Sequence, residues 1–146
     1  MTKVGFTGTQ HGMTSEQLDQ VKVLILAIEG TEFHHGDCIG ADEQAALVAK
    51  DSSYRVVGHP PTTSSKRAYF NSDEEFTPES YLNRNHTIVD ETEILIAAPR
   101  NPVEKLRSGT WSTIRYARKK SRKVIIVRPD GSLDCGINSK RYEEND

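Results

Sequence analysis

Short apolar runs alternate along this chain with longer stretches whose apolar residues recur at helical spacing, and that alternation limits the folds open to it. Lys3–Thr7, Thr31–His35, Tyr54–Gly58, Glu93–Ala98 and Lys123–Arg128 read as strands. Four helical stretches lie between them. The first opens at Thr14 or Ser15, carries Leu18, Val21, Leu24, Ile25 and Ile28 at helical spacing, and stops at Gly30. The second, Ala41–Lys50, is a small alanine-rich helix. The third opens at Thr77-Pro78-Glu79, where a cap, a proline and an acid follow in order, and runs to about Asp90. The fourth begins at Ser108-Gly109-Thr110 and runs to about Lys120. Strict alternation with crossovers of this length requires a mainly parallel sheet with helices on both faces. Right-handed crossovers make a Rossmann-like order the commonest outcome. The expected fold is therefore α/β, with five strands in the order 3-2-1-4-5 and the apolar strand Glu93–Ala98 near the centre.

At 146 residues the chain is the size of one domain with one core. Residues 1–130 read as that domain and residues 131–146 as a polar tail. Two cysteines are too few for a disulfide scaffold, so a reducing cytoplasmic setting is expected. No apolar run approaches the roughly 20 residues of a membrane span, and Met1-Thr2-Lys3-Val4 does not open a long apolar leader. A net charge of −2 excludes a global positive field, so any contact with nucleic acid needs a local patch. From Thr62 to Thr77 the sequence is polar and aperiodic, which reads as a long surface loop and a candidate substrate cover.

Ligands of open α/β sheets bind beyond the carboxyl ends of the strands, where the strand order reverses. Three glycine-bearing bends fall there: Thr7-Gly8-Thr9-Gln10-His11-Gly12, Gly36-Asp37-Cys38-Ile39-Gly40-Ala41-Asp42 and Arg107-Ser108-Gly109-Thr110. Glycine allows close backbone approach, and the free N–H groups at a helix start favour phosphate or carboxylate. Each bend alone is ordinary turn chemistry; their convergence on one edge carries the reading. Neither a Walker A sequence nor a full G-x-G-x-x-G is present, so P-loop hydrolysis and nicotinamide-dependent hydride transfer lack their usual signature. His34 and His35 adjoin the second bend, but neighbouring strand residues point to opposite faces, so no metal site is expected. Cys38 has no evident activating base and reads as a small buried residue. Trp111 either stacks on a base or fills a dimer contact. Arg115, Arg118, Lys119, Lys120, Arg122 and Lys123 cluster on the fourth helix and its exit. They either complement the helix dipole or contact phosphates of a nucleic-acid strand.

Val4-Gly5-Phe6-Thr7-Gly8-Thr9, Gly36–Asp42, Arg84-Asn85, Ile94-Leu95-Ile96-Ala97-Ala98-Pro99 and Ser108-Gly109-Thr110-Trp111-Ser112-Thr113-Ile114 resemble, in that order, the SLOG superfamily. That group joins the Lonely Guy phosphoribohydrolases, the DNA-processing protein A core and the YspA-like proteins, and the resemblance covers roughly residues 3–128. It implies a Rossmann-like sheet, a pocket for a nucleotide or nucleotide derivative, no cofactor, and a homodimer paired through helices flanking the pocket. By the resemblance Gly8, Thr9, Gly36, Gly40, Arg84, Asn85, Ser108, Gly109, Thr110 and Trp111 are the expected binding residues. In the Lonely Guy branch an arginine before the fourth strand and a glutamate after the Gly-Thr turn act on the N-glycosidic bond of a nucleoside 5′-monophosphate. Arg84 matches the first, while the second falls at Thr113, which is not an acid. Cleavage through an oxocarbenium-like state needs a carboxylate, for which Asp42 and Glu104 are the candidates; Asp42 also reads as a first-turn acid complementing its helix. The Ser-Gly-Thr turn with its basic helix end looks closer to the DNA-processing and YspA-like branches. Single-stranded DNA binding and sensing of a signalling nucleotide are the alternative functions. Lys66 and Arg67 are further phosphate candidates.

Overall fold

The computed structural model describes residues 2–135; the part of the polar tail over 136–146 lies outside them. The elements are β1 (Lys3–Gly8), α1 (Ser15–Ile28), β2 (Glu32–His35), α2 (Ala41–Asp51), β3 (Arg55–Gly58), β4 (Glu74–Glu75), α3 (Tyr81–Asp90), β5 (Ile94–Ala98), α4 (Gly109–Lys119), β6 (Lys123–Val127) and β7 (Leu133–Asp134). They form one sheet in the order β4-β3-β2-β1-β5-β6-β7. Every pairing is parallel except β6 with β7. The five long strands stand in the expected order, and the sheet has seven strands rather than five. The two additions have two residues each and no apolar periodicity. They pair because β3 and β6 would otherwise end the sheet with open backbone groups.

Packing follows from the helical spacing. Val21 and Ile25 of α1 and the alanines Ala41, Ala45, Ala46 and Ala49 of α2 bury against Val4, Phe6, Phe33 and Val56 on one face. On the other face Trp111, Ile114 and Ala117 of α4 and Val89 of α3 cover Leu95, Ala97, Val124 and Ile126. Thr14 caps α1 through a reciprocal pair of bonds with Gln17. α3 starts later than its sequence cue. Glu79 exchanges backbone bonds with Pro60 and Thr62, which keeps the chain extended until Ser80 caps the helix.

The connection over 62–77 is tied down rather than lying as a free cover. Asp37 is buried with a left-handed φ of 53°. Its carboxylate accepts from Arg67 Nε at 2.6 Å and Phe70 N at 2.9 Å, and Arg67 also donates to both oxygens of Glu75 at 3.0 Å. Arg67 is thereby committed to carboxylates of this chain, and no residue of the segment lines the cavity described below. The Asp37 carboxylate thus adds to the backbone bonds that hold the segment, among them Ala68 N to Asp37 O at 2.8 Å and Asp73 N to Val56 O at 2.8 Å.

Three buried histidines sit under this edge of the sheet. His34 bonds Glu32 Oε1 through Nε2 and His59 Nε2 through Nδ1, both at 2.8 Å. His35 Nδ1 accepts from Asp37 N at 2.9 Å and Nε2 meets Ser72 Oγ at 2.9 Å. Burial disfavours the imidazolium, lowering His34, bringing His35 to about 4 and His59 to about 3. The unfolded chain binds protons at these sites first, so their contribution is complete above about pH 6.5 and is lost as pH falls toward 4. Asp42, held up to about 6, opposes this between its unfolded value and pH 6, one group against three. His35 alone contributes on the order of 3 kcal/mol, at ~1.36 kcal/mol per pKa unit. Urea midpoints should fall between pH 7 and pH 4.5, with a shallower slope in His35→Gln; a midpoint that rises on acidification would contradict this account.

Candidate functional site

A cavity of about 540 Å³ opens at the carboxyl edge of the sheet between β1 and β5. The β1 tip contributes Phe6, Thr7, Gly8, Thr9, Gln10 and His11, and the bend before α2 contributes Cys38 and Asp42. From α3 come Tyr81, Arg84, Asn85 and Ile88, and from the β5–α4 segment Arg100, Asn101, Arg107, Ser108, Gly109 and Thr110.

The β1 tip is held by backbone. Thr9 N donates to Ala98 O at 3.1 Å, and Thr9 O accepts from Ala41 N at 2.9 Å and Gly12 N at 3.2 Å. Two glycines permit this approach of α2 to the tip. A Cβ on Gly8 would lie 2.6 Å from Ala41 Cβ, and one on Gly40, whose φ is +93°, would lie 2.4 Å from Gln10 O. Gly8 therefore lines the cavity but serves packing, while Gly40 and Gly36 stand behind the lining instead of in it. Gly36 N donates to Asp42 Oδ2 at 3.0 Å, and its carbonyl accepts from Arg84 Nη1.

Arg84 is buried, at 4% exposure. Nη1 also donates to His59 O at 3.1 Å, Nε to Asn85 Oδ1 at 2.8 Å, and Nη2 approaches Cys38 Sγ at 3.6 Å. Nε and Nη1 are thus spent on Asn85 and on the ends of β2 and β3, Nη2 faces only the Cys38 sulfur, and Arg84 makes no surface ion pair. Asp42 is buried as well, not an exposed first-turn acid. Burial raises its carboxyl to about 6 against the lowering influence of Arg84 and of the backbone N–H groups of Cys38 and Gly36. The Cys38 thiol lines the cavity half-buried and is pushed up by burial, which keeps it protonated.

The start of α4 is organised differently. Ser108 Oγ accepts from Trp111 N at 3.2 Å, while the amides of Gly109 and Thr110 have no partner among the described residues. A Cβ on Gly109 would meet nothing within 4 Å, so this glycine, unlike the other three, leaves space that a ligand can use. Arg100 and Arg107 are exposed at the cavity and make no hydrogen bond or ion pair among the described residues. Arg100, Asn101, Tyr81 and Ile88 line the cavity outside the bends and motifs named from the sequence, while Gln10, His11 and Arg107 lie in the named bends without having been singled out. The available signal was position, since Arg100 follows the most apolar strand by two residues and Arg107 directly precedes the cap of α4.

Two nominated residues lie elsewhere. Glu104 is fixed by an ion pair to Arg115 at 2.7 Å on the exposed side of α4. Trp111, at 5% exposure, is in the core beneath α4, because helical spacing turns it toward β5 and away from the cavity. The basic cluster begins at Arg115 and gathers at the far end of α4, about 15 Å along the helix from Gly109 at ~1.5 Å per residue. Arg122 there is engaged with Val89 O at 3.1 Å. Among the described residues no group of three or more histidine, cysteine or acidic side chains is placed to hold a metal ion, and no helix is long and apolar enough to cross a membrane.

No protein-family model and no curated protein matches the sequence. Solved structures do. The molybdenum cofactor binding protein from the phototrophic bacterium Rippkaea orientalis superposes with a TM-score of 0.69 at 21% identity, over 99% of this chain and 83% of that one. DNA processing protein A from Helicobacter pylori, described for its single-stranded DNA binding mode, superposes with a TM-score of 0.67 at 19% identity, over 98% and 73%. The Moco carrier protein from Chlamydomonas reinhardtii gives 0.61 at 19% identity, over 86% and 75%. What the chain shares with them at these identities is a fold, a Rossmann-like α/β one.

The engagement of Arg84 has a measurable consequence. Arg84→Met leaves Gly36 O and His59 O without their donor and Asp42 without its countercharge. Unfolding free energy should drop by about 3 kcal/mol. The Asp42 titration followed by 13C NMR should move above its present value of about 6; an unmoved Asp42 titration would contradict the coupling.

Proposed function

We propose that this protein binds a nucleotide or nucleotide-derived ligand at the carboxyl edge of the sheet, with a phosphate of that ligand against the start of α4. The observation that carries this reading is that the unpartnered amides of Gly109 and Thr110 and the unpaired arginines Arg100 and Arg107 share one cavity. Helix-start amides and guanidinium groups both favour phosphate oxygens, and charge-assisted bonds to them are about twice as strong as neutral ones. Thr9, Asn85 and Ser108 supply hydroxyl and amide groups for the rest of the ligand. The similar structures agree in kind, one being of a molybdenum cofactor binding protein and another of a protein with a single-stranded DNA binding mode. The small-molecule reading takes precedence over DNA because the unpaired cations gather within a cavity, while the basic cluster lies at the other end of α4. A homodimer in the cytoplasm, paired through helices flanking the cavity, belongs to this proposal, and the exposed Tyr81 and Leu82 at the start of α3 support it.

One observation favours turnover. Asp42 is the one carboxylate lining the cavity, and its carboxyl is held near 6, close to the operating range of a general acid or base. In this reading the protein is a nucleoside 5′-monophosphate N-glycosidase in which Asp42 supports the developing oxocarbenium charge and Arg84 positions it. Thr113 takes no part, since its hydroxyl is bonded to Gly109 O at 2.9 Å.

Gly109→Asp should fold normally, because the Cβ enters open space and an acid at a helix start complements the dipole. Its affinity for a panel of nucleoside 5′-phosphates, measured by calorimetry, should fall on the order of 100-fold; unchanged affinity would overturn the binding reading. Release of free base from the same panel, read by chromatography, should drop about 100-fold in Asp42→Asn. No release by the wild type would remove the hydrolytic reading and leave binding.

A further inference from the structure

We infer that the cavity takes a ligand with two linked phosphate groups, one held at Arg107 and the start of α4 and the other at Arg100 and the β1 tip; this rests on the nucleotide-binding reading above and specifies its ligand class, a diphosphate in place of the monophosphate of the hydrolytic reading. Arg84 and Asp42 balance one another, and Nε and Nη1 of Arg84 are committed to protein oxygens while Nη2 meets Cys38 Sγ. Arg100 and Arg107 are left without a countercharge among the described residues, in a lining that has no other carboxylate.

A single phosphate monoester, carrying about −1.5 to −2 charges near pH 7, is satisfied by one arginine fork together with the helix amides. The second arginine is then surplus, and it also stands in a different place. Arg107 directly precedes Ser108, the cap of α4. Arg100 lies two residues beyond Ala98, whose carbonyl accepts from Thr9 N at 3.1 Å, so its backbone is at the β1 tip. The side chains of Gln10 and His11 at that tip form no hydrogen bond among the described residues and add donors to the second position. Two unpaired cations, one just before the cap of α4 and one two residues past β5, line one cavity of about 540 Å³ and match a diphosphate better than a monophosphate.

Inorganic pyrophosphate and orthophosphate test this without assuming a base. Calorimetry on the wild type should give pyrophosphate an affinity at least about tenfold higher than orthophosphate. Arg100→Ala should abolish that preference, bringing pyrophosphate down to the affinity of orthophosphate, and Arg107→Ala should weaken both ions about tenfold. Both side chains are exposed and unbonded, so circular dichroism should be unchanged. Equal affinities in the wild type, or a preference that survives Arg100→Ala, would overturn the two-phosphate inference and leave the nucleotide reading standing. Failure of both ions to bind would overturn the two together. An oligothymidylate that outcompetes pyrophosphate and is equally sensitive to Arg100→Ala would overturn it in favour of successive phosphates on a single strand.

Discussion

The guanidinium of Arg84 joins three elements that the chain's local preferences would leave independent. It spans from α3 to the carbonyl of Gly36 beyond β2 and the carbonyl of His59 beyond β3, and its charge faces Asp42 at the start of α2. An arginine buried this fully is tolerated only when its donors are met and its charge is opposed, and both conditions hold here. The floor of the cavity is therefore rigid. The cost of desolvating Asp42 is what lifts its carboxyl to about 6 against the lowering pull of Arg84, so burial at this edge gives the site its titrating group.

Against that rigid floor, the cations open to a ligand come from the β5–α4 segment. Arg100 and Arg107 flank a stretch that is pinned to α4 by Arg115, which bonds Glu104 Oε2 at 2.7 Å and Leu106 O at 3.1 Å. Glu104 thereby shapes the entrance instead of entering it. The division is between Arg84, whose bonds hold the edge of the sheet, and Arg100 and Arg107, which have no side-chain partner among the described residues.

Much of this was legible in the residues. The order of the five long strands follows from alternation and handedness, and the gathering of the β1 tip, the bend before α2 and the start of α4 at one edge follows from that order. The two short edge strands were not legible, because Glu74-Glu75 and Leu133-Asp134 carry no pattern and pair only with an edge the rest of the fold presents. Glycine proved ambiguous for a physical reason. Gly8, Gly36 and Gly40 lack a side chain because protein atoms occupy that space, whereas Gly109 lacks one where nothing does, and sequence alone does not separate these cases. Arg84 shows the same limit. Its place beside the site was readable, but the commitment of its donors to two carbonyls depends on contacts 48 and 25 residues away.

The claim at the centre is that the free amides at the start of α4, together with Arg100 and Arg107, hold an anion in the cavity. A titration with inorganic phosphate followed by 15N–1H NMR tests it without mutation or a chosen nucleotide. The account predicts saturable, concerted shifts of the Gly109 and Thr110 amides. Shifts confined to the basic end of α4 around Lys119 and Lys120, or none at the start of that helix, would contradict it.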